Sequence, residues 1–263
     1  MSLLAWIVLF CLLGGVLSVL AAATFLALPA AWRERLLPHF ISFAIGALLG
    51  AAFLGLLPHA VMAPAAPGVH DLMLAVLLGV LGFFILEKTV LWRHCHARDC
   101  EAHAPGGTPA GSSGGEAAGT LILVGDALHN FVDGVLIAAA FLTDIHLGIV
   151  TALAVAAHEI PQEVGDFAVL LHSGFSRARA LAYNLVSSLT TLVGGVLAYY
   201  SLAQTRQVLP YVLAVAAASF IYIAVADLIP GLHRRPEPSA TLRQLALIAA
   251  GVIVIYIAHS TLH

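Results

Sequence analysis

Eight stretches of roughly twenty apolar residues recur along this chain of 263 residues. At about 1.5 Å per residue, each is long enough to cross a hydrocarbon layer of about 30 Å as a helix. They run approximately from Leu3 to Leu28, Phe40 to Leu57, Leu72 to Leu91, Leu121 to Leu142, Ile145 to Leu171, Leu181 to Leu202, Val208 to Ile229 and Leu242 to Ala258. Lipid offers backbone groups no hydrogen bonds, so segments of this length must satisfy their own as helices. Charged residues make up only 10% of the chain, against about 25% in soluble domains. The expected fold is an all-α membrane protein, one transmembrane domain of eight helices over residues 1–263, with the bilayer as its solvent. A net charge of -3, with no basic run interleaved with aromatics, excludes nucleic acid as a partner.

Cations fall on alternate connections. Those after the first, third, fifth and seventh spans carry Arg33, Arg35, Lys88, Arg93, Arg98, Arg177, Arg179, Arg234, Arg235 and Arg243, whereas the other side has only Arg206. The positive-inside rule then places both termini outside the cytoplasm, and the setting expected is a bacterial inner (plasma) membrane. The longest connection, residues 94–119, reads HCHARDCEAHAPGGTPAGSSGGEAAG and divides the spans into three and five. It is expected to be a flexible cytosolic loop. Its His94, Cys95, His96, Cys100 and His103 are either a capture site for a soft or borderline cation or incidental residues of a solvated linker. Cys11, Cys95 and Cys100 do not form a disulfide framework.

The fourth and fifth spans are not uniformly apolar. GDALHNFVDG, residues 125–134, puts Asp126, His129 and Asp133 at i, i+3 and i+7 on one helical stripe. HEIPQEVGD, residues 158–166, puts His158 with Gln162 on one face and Glu159 with Glu163 on the next. His129 and His158 lie near the bilayer centre. Ionisable groups at that depth cost several kcal/mol unless paired, solvated or metal-bound. Six carboxylates (Asp126, Asp133, Glu159, Glu163, Asp166 and Asp227) fall within the spans, more than a structural hydrogen-bond network would hide. Carboxylate and imidazole donors without thiolate suit Zn²⁺, or Fe²⁺, Mn²⁺ or Cd²⁺, while Ca²⁺ and Mg²⁺ would want oxygen alone. Such ligands must be deprotonated, so occupancy should fall at acid pH. Pro161 should kink the fifth helix and free the carbonyl of Ala157, and Gly134 and Gly165 should let neighbouring backbones approach.

These motifs resemble the ZIP (Zrt/Irt-like protein) family of divalent metal transporters, in the branch with the HEXPHEXGD-type motif. HNFVDG, HEIPQEVGD, the histidine-bearing loop, LLPHA (residues 56–60) and ADLIPG (residues 226–231) carry the likeness. The resemblance implies a two-metal centre on helices four and five that passes metal to the cytosol. Its first site would be His129, Asp133, His158 and Gln162, its second Asn130, Asp133, Glu159 and Gln162, with Glu163 auxiliary. Asp126 and Asp166 would line the exit, and His59 and Asp227 would lie along the route. The chain departs from the family pattern at four positions. Gln162 stands where that branch has histidine, Thr191 stands where some branches have glutamate, and His59 and Gly231 stand where acids are common.

The expected function is transport of a divalent transition metal, zinc first, toward the cytosol, with metal entering past Asp144 or His146. No enzyme activity and no catalytic cofactor are expected, and a homodimer is an open possibility. The alternatives are a metal exporter or proton antiporter, suggested by the HxxxD pair of His129 and Asp133, and a membrane zinc hydrolase, suggested by the opening of HExxH at His158 and Glu159.

Overall fold

The computed structural model describes residues 1–64, 66–94, 112–233 and 238–261. Among them the regular structure is helical throughout. Eight rods follow one another: α1 (Leu3–Leu26), α2 (Ala30–Met62), α3 (Val69–His94), α4 (Ser112–Thr143), α5 (Ile145–His172), α6 (Arg177–Leu202), α7 (Arg206–Leu232) and α8 (Pro238–Thr261). Seven are long and apolar enough to cross a membrane by length and composition. The exception is α5, which carries Glu159, Glu163 and Asp166. It is nonetheless the rod that sits deepest, with fourteen buried residues along 28. The protein is an integral membrane protein, and its most polar span lies in its interior.

The rods overrun the apolar windows. α2 starts at Ala30, ahead of Arg33 and Arg35, and α4 starts at Ser112, inside the segment expected to be loop. Hydropathy marks the part of a helix that lipid must accept, whereas backbone hydrogen bonding continues into the polar flanks. Short connections are fixed by local chemistry. Asp144 caps α5: its Oδ1 accepts from the backbone N–H of His146 at 2.8 Å and of Leu147 at 3.0 Å. This residue, expected on the entry path, therefore also starts the helix that carries half of the polar cluster. Between α5 and α6 the chain reverses at Gly174, whose φ of 91° suits glycine.

Two rods contain matching irregularities. A π-helical turn spans Ala51–Leu56 in α2, and another spans Ile223–Leu228 in α7; each is followed by one residue and then a proline, Pro58 or Pro230. A proline ring collides with the carbonyl four residues back, and a widened turn relieves that collision without ending the helix. Pro161 lies buried inside α5, which is continuous through it.

α4 packs along α6 and α5, with α1 against all three; α2 pairs with α8, α3 with α7, and α2 meets α5. The α4–α6 contact is close because both sides lack a side chain at the crossing. A Cβ on Gly134 would strike the carbonyl of Thr191, and one on Gly194 the carbonyl of Phe131. Gly165, expected to serve a similar purpose, faces open space. Leu74, Leu77, Leu78, Leu81 and Ile85 of α3 point outward, as a lipid-facing rod requires.

Gly194→Val should therefore force α4 and α6 apart and cost about 3 kcal/mol or more, at the upper end of overpacking penalties. Gly165→Ala should be neutral or stabilising by about 0.5–1 kcal/mol, the ordinary helical gain. Thermal unfolding of the purified protein in detergent checks the pair; equal losses would contradict the packing described.

Candidate metal centre

On α4, a step of four residues brings His129 and Asp133 to one face, and α5 presents consecutive His158 and Glu159 opposite them. Their donor atoms converge. His129 Nε2 lies 3.3 Å from His158 Nε2, 3.7 Å from Asp133 Oδ2 and 3.5 Å from Glu159 Oε1. His158 Nε2 lies 3.2 Å from Asp133 Oδ2 and 3.8 Å from Glu159 Oε1. One atom from each of the four residues falls within 4.8 Å of all the others. A Zn²⁺ ion with ligands about 2.0–2.1 Å away has tetrahedral edges of about 3.3 Å, so separations of 3.2–3.8 Å make these four residues a candidate site for one ion.

Electrostatics points the same way. His158 Nδ1 sits 3.0 Å from the carbonyl oxygen of Ala154. A carbonyl only accepts, so Nδ1 carries the hydrogen and Nε2 turns a lone pair to the centre. Both oxygens of Asp133 and both of Glu159 are buried without a hydrogen-bond donor. One oxygen of each of these donorless carboxylates thus converges with the His158 lone pair in the interior, which is costly unless a cation joins them. Two carboxylates balance one dication, and two imidazole nitrogens with carboxylate oxygen and no sulfur match a borderline metal.

The other expected residues are distributed around this cluster. Asn130 is fully buried and engaged: its amide donates to Asp126 Oδ1 at 2.8 Å and to the Asp126 carbonyl at 3.2 Å, and its Oδ1 accepts from Thr191 Oγ1 at 2.8 Å. Ser187 donates to the other Asp126 oxygen, and Thr190 donates to the Ala127 carbonyl at 2.6 Å. These bonds strap α4 to α6 where the resemblance set Asn130 in a second site. Gln162 stands on the wall of a cavity of about 460 Å³ that also borders His129, His158, Asp126, Asp166 and Asp227. The same cavity reaches Glu87 of α3 and Tyr222 of α7, which are hydrogen-bonded to each other. Glu163 is buried off that wall, without a donor of normal geometry, and Asn184 is its polar neighbour on α6.

His59 lies on α2, its Nδ1 2.9 Å from the Gly55 carbonyl and its ring edge-on to His259 at 5.3 Å, away from the cavity. Cys95, His96, Cys100 and His103 lie outside the described residues, as does the side chain of His94.

Glu87 and Tyr222 were not apparent from the sequence, because residues 135 apart carry no local pattern. The strap was more accessible: Ser187, Thr190 and Thr191 recur at i, i+3 and i+4 on an apolar helix.

Comparison with known proteins settles the relationship. The description of the ZIP Zinc transporter family matches residues 93–259. The chain belongs to the ZIP family. Zinc transporter ZIP13 of Pongo abelii is 35% identical over 236 residues, covering 85% of this chain and 66% of that protein. ZIP13 of Mus musculus is 32% identical over 257 residues, covering 85% of this chain and 69% of its own length. Zinc transporter ZIP4 of Homo sapiens is 42% identical over 120 residues, 45% of this chain and 18% of that protein. The chain thus spans about two thirds of the length of the ZIP13 relatives. Those three relatives are eukaryotic and lend the expected bacterial setting no support.

Titrating the detergent-solubilised protein with Zn²⁺ should give one buried ion per chain. His158→Ala should weaken that ion by about 100-fold or more, since even partners outside the coordination sphere are worth about 10–100-fold. Thr191→Val, which loosens the strap but removes no donor of the cluster, should keep the ion. Two ions in the wild type, one of them lost in Asn130→Ala, would contradict the single-ion geometry.

Proposed function

We propose that this chain transports a divalent transition metal, zinc first, across the membrane to the cytosol by way of the α4–α5 centre. The observation that carries the reading is the continuity of the buried cluster with the cavity of about 460 Å³. Asp126, Asp166 and Asp227 border that cavity, the first two on the side of His129 and His158 toward the cationic connections and the third near the end of α7 that adjoins one. Those connections face the cytoplasm by the positive-inside rule, with both termini outside.

His129, Asp133, His158 and Glu159 take the ion from its water, and Gln162 offers a neutral carbonyl at the start of the way out. Transfer from imidazole nitrogen to carboxylates progressively open to water lets the ion regain its shell stepwise, so no single step carries the whole cost of dehydration. Asn130 and Asp126, held by Thr191 and Ser187, fix the register of α4 against α6 and so the aim of Asp133. Glu163 stands behind this line as an auxiliary charge. Iron, manganese and cadmium share the donor preferences of zinc closely enough to be further substrates.

Glu159 acts as a ligand and not as the base of a hydrolase. Its Oε1 stands 3.5 Å and 3.8 Å from the two imidazoles, inside the coordination sphere that a hydrolase would leave open to water. The names of the relatives, zinc transporters all, agree with transport.

Proteoliposomes containing the purified protein and a trapped zinc-sensitive dye test this reading. Zn²⁺ influx should fall to background in Asp133→Ala and in His158→Ala, and Cd²⁺ should compete where equal Ca²⁺ or Mg²⁺ does not. Unaltered influx in both variants would overturn it.

A further inference from the structure

Away from the centre, α2 and α8 form a small notch at the membrane boundary nearest the cationic connections. Arg35, His39 and Ser42 contribute from α2, and Arg243 and Gln244 from α8. Its volume is about 40 Å³, a few times the roughly 10–15 Å³ that one water needs by the same measure. Room of that size admits one compact polar group.

Arg35 and Arg243 belong to different helices yet border one notch, and no acidic side chain lines it. Among the described residues neither guanidinium is paired with a carboxylate. Arg243 Nε donates to its own helix at the Ser239 carbonyl, 3.2 Å away, which steadies the side chain and leaves its terminal amino groups for another acceptor. His39 is steadied in the same manner, Nδ1 lying 2.7 Å from the Arg35 carbonyl. Ser42 gives its own hydroxyl hydrogen to the Pro38 carbonyl at 2.7 Å, so the donors left for a guest are the two guanidiniums and the Gln244 amide. Two like charges bordering one notch call for an anion. A fork of N–H groups matches the oxygens of phosphate better than any point charge does.

Depth selects the source. Arg35 lies five residues before the apolar window that opens at Phe40, and Arg243 adjoins Leu242, where the last window opens. Both therefore sit at the level of the lipid headgroups. Basic pockets between transmembrane helices on the cytoplasmic side suit anionic headgroups. We infer that the notch between α2 and α8 binds the phosphate of an anionic phospholipid, with Arg35 and Arg243 gripping it from the two helices. Phosphate held there bridges the two guanidiniums and fastens α2 to α8 at that boundary.

The full chain in detergent should be titrated with phosphatidylglycerol, phosphatidylcholine or inorganic phosphate, with native mass spectrometry reading retained lipid and thermal unfolding reading stability. Phosphatidylglycerol should be retained and should raise the unfolding midpoint, while phosphatidylcholine should do neither. Arg35→Gln with Arg243→Gln should weaken retention about tenfold or more, from about 1 kcal/mol for each basic residue at a membrane surface. Arg177→Gln with Arg179→Gln, on the same side of the membrane, should leave it intact. Equal stabilisation by inorganic phosphate, lost in the Arg35/Arg243 variant, would keep the site but assign its ligand to free phosphate. Retention unchanged in that variant, or reduced equally by the Arg177/Arg179 pair, would overturn the inference.

Discussion

A carboxylate or an imidazole lone pair buried in hydrocarbon with no donor to meet it costs more than a fold of this size can spare several times over. Two such groups, the carboxylates of Asp133 and Glu159, meet the imidazoles of His129 and His158 between α4 and α5. Their convergence gives the protein a centre that only a cation completes. The rest of the architecture either holds these groups in place or offers the cation a way to leave.

Holding them falls mainly to α6. Missing side chains at Gly134 and Gly194 let α4 and α6 touch backbone to backbone. Asp126, Asn130, Ser187 and Thr191 then close a hydrogen-bonded seam beside the contact. With every polar atom of Asn130 engaged, the seam makes α4 a fixed wall, and Asp133 keeps its aim one turn further on. α5 has its own anchors, since Asp144 caps its start and the Ala154 carbonyl sets the tautomer of His158. A cavity bordered by carboxylates lies on the other side of the imidazoles, so the centre is rigid behind and open in front. That asymmetry distinguishes a site through which an ion passes from one where it stays.

Much of this was legible in the residues. Hydropathy located eight rods, and helical periodicity placed His129 over Asp133. α5 is the least apolar of the eight, because His146, His158, Glu159, Pro161 and Gln162 lower its average even in its most apolar stretch; the spacing within HEIPQEVGD identified it as a site. Periodicity could not decide which donors share one ion. Glu159 and Gln162 lie on adjoining faces of α5, and only the rotation of that helix against α4 puts Glu159 Oε1 beside both imidazoles while Gln162 meets the cavity. Residues joined across distant helices, such as Glu87 with Tyr222, leave no periodic trace at all. LLPHA and ADLIPG were visible as motifs, yet their structural content, a π-helical turn before each proline, follows from a steric conflict that composition does not report.

X-ray absorption at the zinc edge of the loaded protein addresses the donor set itself. Two imidazole nitrogens and carboxylate oxygens should scatter at about 2.0–2.1 Å, with no sulfur shell and with the imidazole signal halved in His158→Ala. A sulfur shell at about 2.3 Å, or an imidazole signal indifferent to that substitution, would mean that the ion rests on cysteines elsewhere in the chain, and the buried cluster would lose its claim to it.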